Sequence, residues 1–317
     1  MSAMASLAKT LGCIAVQSSR RQSRRSAQRE GWARRLPLLP ALLLVIALTQ
    51  LPFFLTIWFS LHRWNLLGMA PPRFIGLRNF VFAFSDVTFL YAILHTIVMT
   101  ALIVLTSVLV GLLLALGLDR PFAGRALVRT LAVTPFFLMP VAAALFWKAA
   151  LFDPTFGLFG AIAGLLGLDR VDWLSQHPVL SVVIVSSWQW SAFVLMIVLA
   201  GLQSFPEEVE EAAAVDGASR LHVFRSLLLP HLRPFLELSG LLVAMYVLEN
   251  VAVISVLTAG GPAFATTNLS SYVYLQAFSA FSMGRASAYG TIALVVAIAL
   301  ILPLLRLVAG ILREGGR

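Results

Sequence analysis

The residues equipped to act on another molecule lie in two places. One is Glu249 and Asn250, a carboxylate beside a carboxamide inside an apolar segment that runs from Phe235 to Leu257. A carboxylate in such a segment is costly to hold, so it must face a polar cavity or a partner group. On the sequence alone two readings stand: Glu249 meets a polar cargo, or it forms an interhelical hydrogen bond that locks the bundle. Catalysis has no comparable residues. His62, His95, His177, His222 and His231 lack HExxH spacing and no GxSxG occurs. Cys13 is the sole cysteine, which excludes internal disulfides and thiolate metal clusters. The two lysines, Lys9 and Lys148, do not end a GxxxxGK[ST] run, so the chain has no P-loop with which to hold ATP itself.

The other place is the polar interruption from Phe205 to Pro234, FPEEVEEAAAVDGASRLHVFRSLLLPHLRP. Ser204 with Glu207 three residues on reads as a capping box, and Pro206 with clustered glutamates suits a first helical turn and its positive dipole end. The helix this predicts runs through Glu211, Ala212, Ala213 and Ala214, passes Asp216 and stops at Gly217, the residue best able to take a left-handed backbone. Ser219 is placed to cap a second helix that sets Leu221, Phe224 and Leu228 on one face before Leu229 and Pro230, where the proline is expected to close it. Two helices this short are not stable alone in water. The elbow they make needs a surface to dock on.

Composition says what surrounds these residues. Of 317 residues 60% are hydrophobic and only 12% charged, against roughly 25% charged in soluble proteins. Apolar runs near the roughly 20 residues needed to cross a bilayer occur at Leu36 to Phe59, Tyr91 to Leu118, Thr130 to Trp147, Val179 to Leu202, Phe235 to Leu257 and Ala288 to Leu305. They lack period-two alternation, which predicts six helices and no barrel strands. The fold class is thus an all-α integral membrane protein with six transmembrane helices across residues 36–313.

Six spans put both ends on one side. That side holds Lys9, Arg20, Arg21, Arg24, Arg25, Arg29, Arg34, Arg35, Arg120, Arg125, Arg129, Arg220, Arg225, Arg233, Arg306, Arg313 and Arg317. The other holds Arg63, Arg73, Arg78, Lys148, Arg170 and Arg285. By the positive-inside rule both termini and the elbow are cytoplasmic. The net charge of +9 then reflects topology and contact with anionic lipid. A nucleic-acid surface would interleave aromatics among the basic residues, and the tail does not.

Residues 1–35 are Arg- and Ser-rich, a composition shared by a transit peptide, a disordered cytoplasmic tail and an overlong start; the tail reading is adopted. Leu61 to Leu90 reads as an external loop. Phe156 to Leu168 is too short to cross and reads as an interfacial or re-entrant helix, with Gly160 and Gly164 as ordinary close packing. Gly260, Gly261 and Pro262 mark a sharp external turn after the fifth span, followed by a wall rich in Ser, Thr and Tyr.

EAAAVDGA at Glu211 to Ala218, with Leu229-Pro230 twelve residues after Gly217, closely resembles the EAA signature of the permeases of ABC importers. The elbow between the fourth and fifth spans, GLQSFPEE at Gly201 to Glu208 and LTAGGP at Leu257 to Pro262 resemble the maltose-type carbohydrate permeases in particular. Two departures stand out. Many relatives carry an aromatic-Asp pair where this chain has Val251 and Ala252, and Leu227 stands where Ile is expected.

The resemblance implies a type I ABC importer permease fold in the bacterial inner membrane, with a cytoplasmic coupling helix between helices 4 and 5. Glu211, Ala212, Ala213, Asp216, Gly217, Phe224, Leu229 and Pro230 would couple to the ATPase. Glu249, Asn250, Thr258, Gly260 and Gly261 would lie along the substrate pathway. It implies a non-enzymatic subunit with no cofactor or metal of its own, ATP and Mg residing on the partner. The partners are a second permease in a heterodimer, two ATPase subunits, an external solute-binding protein and the bilayer. The cargo class is a sugar or polyol, with glycerol phosphate as the alternative. Two other classes compete. A secondary transporter needs its own ion site, for which Glu249 is the only deep carboxylate and no broken helix pair is evident. A membrane scaffold explains the elbow but not the polar residues of the fifth span.

Overall fold

The computed structural model describes residues 39–314 apart from Met69. The basic tail of residues 1–35 and the start of the first span at Leu36 lie outside them. The chain divides into two units, one ending at Thr56 and one beginning at Ile57. The first helix, α1 (Leu39–Ser60), has the length and hydropathy of a span and carries Pro52 inside it.

From Ile57 onward the expected external loop has structure of its own. An antiparallel pair, β1 (His62–Arg63) with β2 (Arg73–Phe74), sets His62 opposite Phe74. The helix α2 (Arg78–Ser85) follows, and its buried Asn79 donates to the carbonyls of Ser60 and His62 at 2.8 and 2.9 Å. Asp86 caps α3 (Val87–Asp119), its carboxylate accepting from the amides of Thr88 and Phe89. The same carboxylate accepts from the hydroxyls of Tyr272 and Tyr289, so one residue ties the start of this helix to two later ones.

The third span is not straight. It is a pair, α4 (Arg125–Phe137) and α5 (Pro140–Phe146 with a π-turn over Trp147–Leu151), bent by 109° at Leu138 and Met139. The cause is Pro140, which disfavours helical backbone in the residue before it: Met139 is extended, with ψ 137°. Short α6 (Leu158–Leu165) and α7 (Trp173–Gln176) lead to α8 (Pro178–Gln203). A Cβ at Gly160 would lie 2.4 Å from the Pro154 carbonyl oxygen, so that glycine serves close packing as expected.

The elbow follows as α9 (Glu207–Val215) and α10 (Arg220–Val223, continued by a π-turn over Phe224–Leu228), and α11 (Leu229–Leu248) carries the chain back. The fifth span is also broken. It stops at Leu248, and α12 (Ala252–Leu257) begins after three residues. A loop leads to α13 (Leu269–Tyr274 with a π-turn over Leu275–Ser279) and to α14 (Met283–Glu314). The described chain therefore holds five helices able to cross a membrane, or six if the bent pair counts as one span.

The core is built on α8. Two thirds of its apolar window, 67%, is buried, against 28% for α3. Val182, Val185, Val194, Leu195, Val198 and Leu199 are the buried stripe that α3, α4 and α11 pack against. The closest approach is at Gly111 of α3, where a Cβ would sit 2.6 Å from Val194 Cβ and 2.9 Å from the Ser191 carbonyl oxygen. Small residues at such a crossing let helices approach where no hydrophobic effect drives them together. Gly111→Leu should therefore cost about 1–3 kcal/mol of stability by overpacking, and Val194→Ala should recover part of it. Tryptophan fluorescence during denaturant unfolding of the purified protein in micelles reads both variants and the double variant.

Candidate functional site

The elbow is finished by backbone geometry. The amide of Gly217 donates to the Ala214 carbonyl at 3.1 Å and that of Ala218 to the Ala213 carbonyl at 3.0 Å, the paired bonds of a Schellman turn. Gly217 takes φ +74°, in the left-handed region where a side chain is strained. Ser219 then caps α10, accepting from the His222 amide at 3.3 Å. Glu207, Glu208 and Glu210 stand in the first turn of α9, where the helix dipole favours anions.

Ser204 does not form the expected capping box. The residue before α9 is Pro206, which makes no side-chain cap, and the Ser204 hydroxyl donates to the Gly201 carbonyl at 2.8 Å. It also lies 3.1 Å from His231 Nε2, which is 3.2 Å from the same carbonyl oxygen. His231 thereby pins the end of α8 to the start of α11. A Cβ at Gly201 would lie 2.8 Å from the Phe235 ring, so the two arms of the elbow touch without a gap.

The elbow also exposes apolar surface. Val215 is 87% and Leu221 58% exposed. Glu211, Ala212, Asp216 and Gly217 are exposed beside them, while Ala213 is buried. Small and apolar groups are thus left in the open on either side of the turn at Gly217.

Pro230 does not close the second helix. The Leu229 amide donates five residues back to Phe224, and this π-turn accommodates a proline that would otherwise clash with the carbonyl four residues before it. Arg220 to Leu248 is consequently one rod of 29 residues, roughly 40 Å long at a rise of ~1.5 Å per residue. The elbow is at one end, and Glu249 caps the other.

At that far end lies a cleft of ≈ 300 Å³. Both broken spans face it: Leu138 and Pro140 from the first break, Glu249, Asn250, Val251 and Ala252 from the second. Trp190 and Tyr246 stack at 5.1 Å with planes 21° apart, and Phe136 stands edge-on to Trp190 at 6.1 Å. Gln189 Nε2 donates to the Leu138 carbonyl at 2.6 Å, occupying an acceptor that the bend sets free. Lys148 Nζ donates to the Val256 carbonyl at 2.9 Å, which joins α5 to α12. Discontinuous helices meeting at a cavity are the arrangement by which membrane transporters expose polar backbone and side chains to cargo.

Of the pathway residues expected from sequence, Glu249 and Asn250 line this cleft together. Thr258, Gly260 and Gly261 do not. Their loop satisfies itself: Thr258 Oγ1 is 2.6 Å from Thr266 Oγ1, Thr267 Oγ1 donates to the Gly260 carbonyl at 3.2 Å, and Thr266 Oγ1 lies 3.4 Å from the Gly261 carbonyl oxygen. The cleft aromatics and Gln189 were not singled out in the sequence; their only signal there is the cluster WQW at Trp188 to Trp190 inside an apolar run.

Residues 107–314 match the family of the binding-protein-dependent transport system inner membrane component. The chain belongs to this family. It is a permease, a transmembrane component of such a system. It is 36% identical over 269 residues to the probable ABC transporter permease protein y4oQ of Sinorhizobium fredii, covering 84% of this chain and 87% of that one. It is 34% identical over 251 residues to the trehalose/maltose transport system permease protein MalF of Thermococcus litoralis, covering 78% and 83%. Among solved structures, a chain of a bacterial alginate ABC transporter in complex with an alginate pentasaccharide-bound periplasmic protein superimposes with TM-score 0.74 at 24% identity, covering 87% of the permease and 93% of that chain.

The turn of the elbow gives a direct test. No atom lies within 4 Å of a Cβ built at Gly217, so a substitution there meets backbone strain and no clash within the permease. Gly217→Val should cost the turn about 1–2 kcal/mol, while Gly217→Asn should cost less because Asn tolerates this backbone. Hydrogen exchange across residues 207–223 of the purified permease should speed up for Val by roughly five- to thirtyfold and remain near the parent rate for Asn.

Proposed function

We propose that the permease forms half of the pathway of an ATP-driven importer for a neutral sugar or polyol. It would work with a second, different permease chain, two ATPase subunits that hold ATP and Mg, and an external solute-binding protein. The observation that carries this reading is the single rod from Arg220 to Leu248, which joins an apolar docking face to a cleft of cargo size.

The chemistry of the cleft favours a carbohydrate. The stacked Trp190 and Tyr246 offer flat apolar surface for the C–H face of a sugar ring. Glu249 offers acceptors for its hydroxyls, beside Asn250, whose carboxamide is held by the Val253 amide and Ser186 Oγ. The lining contains a carboxylate and neither Lys nor Arg, so an anion such as a glycerol phosphate would meet repulsion. The trehalose/maltose system among the similar proteins supports a sugar cargo.

Coupling runs through the other end. Glu211, Ala212, Ala213, Asp216, Gly217, Phe224, Leu229 and Pro230 form the elbow and the root of the rod, and small residues there let it enter a groove on an ATPase. With both termini and the elbow cytoplasmic, as the distribution of Arg requires, closure of the ATPase pair would push the rod and re-aim the break at Glu249. The cleft would then face alternate sides of the membrane, driven by the difference in ATPase contact between the two states. Thr258, Gly260 and Gly261 would shape the outer loop without touching cargo.

Proteoliposomes holding the two permeases with and without the ATPase test this reading. Uptake of radiolabelled trehalose or maltose should require the ATPase, ATP and binding protein; uptake without the ATPase refutes the coupling. Trp190→Ala should lower sugar uptake by about three- to tenfold through loss of the stacking surface, and Glu249→Gln should change which sugars are carried. Both variants should still copurify with the ATPase, and normal uptake in both would remove the cleft from the pathway. Glu211→Lys should weaken copurification and uptake together by reversing a charge on the docking face.

A further inference from the structure

The break at Glu249 leaves helix-end carbonyls without partners in the rod, and a short distant segment supplies them. Ser270 Oγ donates to the Leu248 carbonyl at 2.7 Å, and Asn268 Nδ2 donates to the Asn250 carbonyl at 3.3 Å. The donors are themselves held in place. Asn268 Oδ1 caps α13 by accepting from the Ser271 amide at 2.8 Å, and the amide between them, that of Leu269, donates to Thr96 Oγ1 of α3 at 2.8 Å. Thr96, Asn268, Leu269 and Ser271 are all buried. Across the break, Asn250 Oδ1 caps α12 through the Val253 amide at 3.2 Å.

These groups face backbone and not the cleft. Neither Asn268 nor Ser270 lines the ≈ 300 Å³ cavity. The space beside Asn268, bounded by Thr96, Thr100 and Asn250, holds ≈ 10 Å³, room for no more than about one water molecule. A cargo role is therefore closed to them, and what remains is to hold two carbonyls, one on each side of the residue that reaches the cleft.

We infer that Asn268 and Ser270 are positioning residues, a latch that fixes the broken end of the rod to α13 so that movement of the elbow re-aims Glu249. This rests on the transport reading above but not on the identity of the cargo. On one side the end of the rod is held to α8, by the Trp190–Tyr246 stack and by Asn250 Nδ2, 3.4 Å from Ser186 Oγ. On the other side the latch holds it to α13, which Thr96 and Asp86 anchor to α3. With that side fixed, displacement of the rod turns the break; without it, the displacement would dissipate in the three residues of the break.

The test uses the assembled complex with its ATPase. In a Cys13→Ser background a Glu249→Cys probe is labelled by a small maleimide with and without a non-hydrolysable ATP analogue. The labelling rate should change between the two states in the parent. Ser270→Ala and Asn268→Ala should shrink that change by on the order of fivefold or more, and Ser270→Thr, which keeps the hydroxyl, should restore it. In proteoliposomes with Glu249 intact, the Ala variants should hydrolyse ATP while carrying on the order of fivefold less solute per ATP. An unchanged labelling response in Ser270→Ala overturns the latch, as does a parent in which nucleotide changes nothing at residue 249. Failure of both Ala variants to assemble would reduce the pair to structural support and equally overturn it. Labelling needs no cargo, so a wrong sugar would fail in the uptake arm alone.

Discussion

Everything distinctive in this permease follows from one constraint: inside hydrocarbon a backbone polar group has no water to turn to. A continuous helix satisfies the constraint without help. A break does not, and each break here is permitted only because a side chain arrives from elsewhere in the chain. Gln189 reaches the carbonyl freed at Leu138, and Ser270 and Asn268 reach those at Leu248 and Asn250. The cleft is what lies between the two repaired breaks. Its position is thus set less by the spans than by the few polar residues that make interruption tolerable.

The elbow is built differently. Its first helix is too short to survive alone and is finished with a Schellman turn at Gly217, and its second is the start of the rod. What must not fail is the path leading away from it. Pro230 and Pro234 both fall within that path, and a proline in a helix interior costs about 3 kcal/mol where nothing compensates. The π-turn at Phe224–Leu228 absorbs the first, keeping the rod continuous from Arg220 to Leu248. His231 then fixes the angle at which the rod leaves α8.

The sequence made the local features legible and left the long-range ones dark. Hydropathy located the spans, and the spacing of Gly217 and Ser219 located the elbow, because each depends on residues within a turn or two. The first bend, at Pro140, is hidden in the sequence by a run of ordinary span length. The break after Leu248 carries neither Gly nor Pro, and its signature is a partner eighteen residues away in Asn268 and twenty-two away in Ser270. Ser204, three residues before Glu207, fits a cap, yet its hydroxyl donates to the Gly201 carbonyl and meets a histidine 27 residues on. Thr258 and the paired glycines, which the resemblance sets along the pathway, sit in a loop whose Thr258, Thr266 and Thr267 hydroxyls are engaged within the loop itself.

The same accounting says where such a molecule can move. The crossing of α3 and α8 at Gly111 and Val194 is packed to contact, and separating it would open a void in a core that α4 and α11 also share. The first break is different. Leu138 and Gln189 line the cleft, so the Leu138 carbonyl, once released by Gln189, exchanges one partner for another at a net cost of about 1 kcal/mol. The tight crossing of α3 and α8 thus resists separation more than the first interruption does. On the transport reading proposed above, a push on the elbow would travel along the rod to the interruption that carries Glu249.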